Sequence, residues 1–214
     1  LFFLPASTFR GNRGGEGGAI LNVGTAIVWQ STFTANSAGG DDSGGAIRNN
    51  GSMSILNSTF SGNTAFDDGG AIHSDGPITI SNVTLVGNVA GFGGGGLHGS
   101  NSGHISTIKN VIVASNTPQN CFGVTVAQGD NFDTDGSCGG VLVTVEQLRL
   151  EPLAKDGTHA LLRRSVAIDA VADCTTVDGL PVTIDQRGME RPRGVTCDAG
   201  AYEAKQGGAA HLAP

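Results

Sequence analysis

Two groups of residues in this chain have the types and spacing to do chemistry. Asp41-Asp42 and Asp67-Asp68 each stand just before a Gly-Gly step, and Glu16 holds the equivalent bend one period earlier. Stacked on one edge, paired carboxylates are what glycoside hydrolysis needs for its acid and its base. Clustered carboxylate oxygens are also what calcium prefers. No His or Arg keeps a fixed offset from these residues, where it could tune a pKa or hold an acidic sugar. In Gly- and Ser-rich segments Asp is the ordinary turn former. Asp41, Asp42, Asp67 and Asp68 therefore read first as turn residues, second as a weak calcium site and last as catalysts.

The second group is a column. His73 follows Ile72, His98 follows Leu97 and Arg48 follows Ile47, at matching places in a repeating pattern. A His-His-Arg ladder can bind a metal or an anion, or form a plain polar edge. No Ser-His-Asp set, P-loop or dinucleotide fingerprint can be assembled. Gly91-Phe92-Gly93-Gly94-Gly95-Gly96 offers Gly-x-Gly but has no helix after it. The sequence displays no catalytic centre, and calcium is the one cofactor it suggests.

What must position these residues is a repeat. Ser58-Thr59-Phe60-Ser61-Gly62-Asn63 leads to Gly69-Gly70-Ala71-Ile72, and close copies flank it on both sides. An apolar anchor falls at Phe9, Phe33, Phe60, Leu85 and Val113, with steps of 24, 27, 25 and 28 residues. An Asn column at Asn12, Asn36, Asn63, Asn88 and Asn116 steps identically, and Ile20, Ile47, Ile72 and Leu97 keep similar register. Columns that hold register through variable spacers mark a repeat architecture. Gly-rich disorder would not keep them.

Each unit holds short β-type runs. Ser52–Phe60 and Pro77–Leu85 alternate apolar and polar residues, the period of a strand with one buried face. Within these runs, Asn57-Ser58-Thr59 and Asn82-Val83-Thr84 match the glycosylation sequon, but predicted strands are poor sites for modification. A unit of this size cannot bury its own apolar face, but stacked copies can. Glycine supplies the sharp turns. The Asn column suits left-handed corners and amide bonding along the stack. The predicted fold is all-β: a right-handed parallel β-helix with a disulfide-stapled, loop-rich C-terminal region. Coils spaced by ~4.8 Å make about five repeats a rod on the order of 24 Å long.

Composition bounds the function. Net charge is −7 with 12 Lys and Arg in 214 residues, which argues against a nucleic-acid surface. No apolar run reaches transmembrane length. Cys121 with Cys138 and Cys174 with Cys197 form two sequence-local pairs, as expected of disulfides in an oxidising, extracytoplasmic setting. Zinc is the rival reading of the cysteines, but there is no C-x-x-C. Residues 1–116 form the repeat array, 117–203 a β-helix continuation with a distinct C-terminal region, and 204–214 a tail. Val141–Val145 reads as a strand and Glu146–Leu150 as one helical turn.

The run Leu150-Glu151-Pro152-Leu153, Ser165-Val166-Ala167-Ile168-Asp169-Ala170, Ile184-Asp185-Gln186-Arg187-Gly188, Arg191-Pro192 and Cys197-Asp198-Ala199-Gly200-Ala201-Tyr202-Glu203 resembles the choice-of-anchor Q module. That module belongs to bacterial surface β-helix proteins. The repeats before it resemble polymorphic outer-membrane-protein β-helices, and together the resemblances span about residues 7–203. They imply that Asp185, Arg187, Arg191, Asp198 and Asp169 fix loops through ion pairs, hydrogen bonds and turns.

The functional expectation is a non-catalytic, secreted or cell-surface structural or adhesion protein, with surface glycans as possible partners. Leu1-Phe2-Phe3-Leu4 lies in an entering coil, where it is expected to serve as an interface for head-to-tail stacking into filaments. A longer parent chain with more coils is the competing explanation. The alternatives in function are a polysaccharide lyase or hydrolase, which would need a basic cleft, and a calcium- or glycan-binding module.

Overall fold

The computed structural model describes residues 1–40, 42–99, 106–123 and 126–205. The chain winds as a parallel β-helix. The first coil comprises β1 (Phe2–Pro5), β2 (Thr8–Arg10), β3 (Arg13–Gly14) and β4 (Ile20–Asn22). The second repeats it with β5 (Thr25–Trp29), β6 (Thr32–Thr34), β7 (Ser37–Ala38) and β8 (Ile47–Asn49), and the third with β9 (Ser52–Leu56), β10 (Thr59–Ser61), β11 (Thr64–Ala65) and β12 (Ile72–Ser74). The fourth coil contains β13 (Ile78–Ser81), β14 (Thr84–Val86) and β15 (Leu97–Gly99). The fifth contains β16 (Ser106–Lys109), β17 (Ile112–Ala114) and β18 (Cys121–Phe122). A shorter last turn follows, with β19 (Val126–Gln128), β20 (Phe132–Asp133) and β21 (Val141–Leu142).

Equivalent strands stack in register with all pairings parallel, so Phe9, Phe33, Phe60, Leu85 and Val113 are direct neighbours in one sheet. The Phe rings stack face to face at 4.8 and 4.6 Å. With Ile47, Ile72, Leu97, Ile55, Ile80 and Ile108 they fill the coil interior. This is the burial that no single repeat could achieve.

Glycine is required where one coil meets the next. Gly44 adopts φ 78°, and a Cβ on Gly45 would collide with the backbone oxygen of Gly70 in the coil that follows. The Gly-Gly step is thus a contact between coils as well as a turn.

Two details of the coils depart from the sequence reading. The alternating runs 52–60 and 77–85 are each two strands, broken where Asn57 (φ 46°) and Asn82 (φ 51°) take the left-handed conformation. Apolar residues point inward on both sides of the corner, so the alternation runs through it unmarked. The sequon asparagines are therefore buried corner residues, not strand residues. In the Asn column, the left-handed residue is the one before each Asn: Gly11, Ala35, Gly62, Gly87 and Ser115. The column itself is an amide ladder. Each Nδ2 donates to the next Oδ1, from Asn12 through Asn36, Asn63 and Asn88 to Asn116, at 2.8–2.9 Å. Asn120 adds a rung, and Asp133 accepts the last amide proton.

The helical turn lies at α1 (Val145–Leu148), a little earlier than predicted. Thr144 and Gln147 form a capping box around its start, and Arg149 at φ 50° ends it. Both predicted disulfides are present, Cys121–Cys138 and Cys174–Cys197.

Candidate functional site

Two places gather polar side chains: the Gly-rich edge of the coils and a strap formed by the C-terminal region.

At the edge, the register of β8, β12 and β15 places Arg48, His73 and His98 in one column, with Phe122 beyond. The His73 and His98 rings stack at 4.8 Å with 10° between their planes. His98 in turn packs against Phe122 at 4.8 Å. The acidic residues do not act as one set. Asp67 N donates to Asp42 O, so these two share a position on neighbouring coils. Asp68 instead turns towards the histidines, with Oδ1 3.2 Å from His98 Nδ1. Asp41 lies outside the described residues, and Glu16 is exposed.

Asp68, His73 and His98 hold their ligand atoms within 4.8 Å of one another, the one such group among the described residues. Asp75 Oδ1 is 3.2 Å from His73 Nε2, and Asp75 is also ion-paired with Arg48. Burial, with Arg48 nearby, lowers the His73 pKa below the ordinary imidazole value. Sequence reasoning found the His column and, separately, Asp68 as a weak calcium candidate; it did not join the two, and it missed Asp75. The signal was there: aligning Gly69 with Gly94 sets Asp68 opposite Gly93, beside the next histidine.

The strap runs back along the outside of the coils. Gln30 and Asn57, at left-handed corners, donate to the carbonyls of Asp185 and Ile184 at 2.8 Å. Asn110, at the same corner three coils on from Gln30, donates to Asp173 O at 2.8 Å. On the adjoining sheet, Gln186 bridges two coils by accepting from Thr59 Oγ1 (2.6 Å) and donating to Thr32 Oγ1 (2.8 Å). Thr84 Oγ1 accepts from Ala201 N, and His159 Nε2 is 3.0 Å from Ser61 Oγ. Lys109 Nζ reaches Asp173, Thr175 and the Thr176 carbonyl.

A knot of charges shapes the strap. Arg187 forks onto Asp185 Oδ2 (2.9 and 2.6 Å) and lies 3.5 Å over the Tyr202 ring. Arg191 donates to the carbonyls of Asp198 and Gly200 and faces Glu203 at 3.3 Å, with both side chains fully buried. Asp198 accepts from the backbone of Asp169 and Ala204; burial nevertheless pushes its carboxyl up to about 6. Asp169 ties down Val195 and Thr196. These residues hold loops in place, as the resemblance implied.

Leu1, Phe2 and Phe3 are exposed, whereas Leu4 packs against the core. No helix among the described residues is long and apolar enough to cross a membrane.

The architecture defines a disulfide-bearing parallel β-helix built on a Phe/Asn/Gly-Gly repeat. The family model that matches is described as the Chlamydia polymorphic membrane protein (Chlamydia_PMP) repeat, and it covers residues 57–75. That segment runs from the Asn57 corner through β10, β11 and the Gly-Gly step to β12 and Asp75, so one coil of the β-helix is similar to that repeat. No curated protein and no solved structure matches the chain.

Proposed function

We propose that the chain is a non-catalytic structural β-helix displayed at a bacterial cell surface, with a role in adhesion. The observation that carries this reading is the strap. Its backbone and side chains occupy the outer hydroxyls of Thr32, Thr59 and Thr84, where a β-helix enzyme would need an open, substrate-lined face. Covering that face ties successive coils into one unit, which suits a scaffold. Two further observations support surface display: the matching repeat is described as one of a membrane protein, and the C-terminal run resembles the choice-of-anchor Q module.

The free face lies along the Gly-rich edge. There Phe66, Val89 and Phe92 stand exposed on adjacent coils, beside Asp67. Aromatic and acidic groups together suit contact with a surface glycan or a protein partner. End-to-end stacking belongs to the same proposal: β1 pairs with β5, and Leu1, Phe2, Phe3, Leu21 and Val23 offer apolar side chains to a further coil.

The test is antibody labelling of intact native cells, with a glycan array and negative-stain microscopy of the purified chain. Labelling of unpermeabilised cells is the expected result. Labelling only after permeabilisation overturns surface display. Turnover of an acidic polysaccharide, read from the ultraviolet absorbance of unsaturated uronate, overturns the non-catalytic reading. Fibres support stacking, and discrete short rods refute it.

A further inference from the structure

We propose that Asp68, His73 and His98 bind one divalent first-row transition-metal ion, which clips the third coil to the fourth. The donors come from both coils: Asp68 and His73 flank the third Gly-Gly step, and His98 lies on β15 of the next. Two imidazoles and one carboxylate suit zinc, copper or nickel, not calcium, which takes oxygen ligands. This changes both the ion and the partners expected of Asp68.

Three observations point to a ligand. The Nδ1 atoms of His73 and His98 are both buried with no hydrogen-bond partner, although the residues are 6% and 9% exposed. Asp68 Oδ1 lies 3.2 Å from His98 Nδ1 but outside hydrogen-bonding geometry. Buried polar atoms in proteins are rarely left this way.

Next, His73 is already oriented as a metal ligand. Asp75 sits 3.2 Å from its Nε2, and a proton held there leaves the Nδ1 lone pair free. A carboxylate behind a ligating histidine is the usual outer-shell arrangement. Asp75 also neutralises Arg48, the nearest cation in the column, so the site keeps the net negative charge of Asp68.

Lastly, the space beside the donors is open because Gly93 lacks a side chain. A Cβ there would stand 3.0 Å from both Asp68 Oδ1 and His98 Nδ1. Tetrahedral ligation at zinc–nitrogen distances needs donors about 3.4 Å apart. The ligand atoms of the group now stand within 4.8 Å of one another, so the side chains must close by up to about 1.4 Å on binding.

The experiment titrates chelator-treated protein with zinc chloride by calorimetry and records the electron paramagnetic resonance spectrum of the copper(II) form. One saturable site per chain is expected, with coupling to two nitrogens. His98→Gln and Asp68→Asn should each weaken zinc at least tenfold, and Asp75→Asn by about 10–100-fold. Gly93→Ala tests the site without touching a donor. It should abolish binding while circular dichroism stays unchanged, which keeps the test valid if a histidine variant fails to fold. His104 and His211 lie outside the described residues and offer other donors. Binding that persists in the His73→Gln/His98→Gln double variant therefore overturns the assignment. Absence of saturable binding, or a copper spectrum with fewer than two nitrogens, overturns it as well.

Discussion

Replacing Asn63 with Ala should cost far more than its small side chain suggests. Asn63 is fully buried, and its Oδ1 accepts both the backbone N–H of Asn36 (3.0 Å) and the Asn36 Nδ2 (2.9 Å). Its own Nδ2 donates to Asn88 Oδ1 and to the Phe33 carbonyl. Truncation leaves the Asn36 amide and one Nδ2 proton with no acceptor inside the coil. A buried unpaired group costs about 1–3 kcal/mol, so the two together cost about 2–6 kcal/mol.

Asn12→Ala is the control. Asn12 is exposed and only donates to Asn36, so its loss orphans no buried group, and the change should stay within about 1 kcal/mol. The assay is reversible denaturation with both disulfides intact, together with hydrogen exchange at the Asn36 amide. Protection there should fall sharply in Asn63→Ala and stay near wild type in Asn12→Ala. Equal losses in the two variants would refute the idea that the ladder, beyond the strand hydrogen bonds, holds the coils in register.

Other consequences follow from the strap. Replacing Cys174 and Cys197 together by Ala opens a closure of 23 residues, worth about 3 kcal/mol in the chain-entropy model. Limited proteolysis should then cut within residues 150–204 before the coils. Arg191→Met strands the buried Glu203 carboxylate opposite an apolar side chain, an expected loss of about 3–5 kcal/mol in chemical denaturation. His159 is held below its ordinary pKa by burial, with Nδ1 2.7 Å from the Glu151 carbonyl. The folded state keeps it neutral, whereas the unfolded chain takes up a proton below about pH 6.5. Its contribution is therefore complete above that pH and is lost as the pH falls further. Calorimetry should show a smaller drop in Tm between pH 7 and pH 5 for His159→Gln than for wild type. An unchanged slope would count against this.

The coils were readable from the sequence because stacking makes equivalent positions solve the same problem. Phe9, Phe33 and Phe60 share one interior site, and Gly44 and Gly69 face one steric limit. Amide bonding along the Asn column was readable in the same way, but not that the residue before each Asn takes the left-handed corner. The corners were not readable, because Asn57 and Asn82 turn the chain without interrupting the alternation of apolar residues. The Asp68–His98 approach was hidden for a related reason. It joins residues at different positions of neighbouring repeats, whereas register arguments compare equal ones. The strap carries no periodicity, so its path along Gln30, Asn57 and Asn110 could be found only in three dimensions.

That path gives the molecule a property the repeats alone lack. A solenoid has contacts only between adjacent coils, so its ends can open while its middle stays folded. Here Gln186 holds Thr32 and Thr59, Ala201 holds Thr84, and Asp173 holds Lys109, in hydrogen bonds that join residues 64 to 154 positions apart. Opening any of the second to fifth coils must disturb a segment that also touches the others. The Arg191–Glu203 and Arg187–Asp185 pairs make that segment stiff, and Cys174–Cys197 limits how far it can come away. Coupling of this kind turns a stack of near-independent units into a body whose second to fifth coils open together rather than one by one.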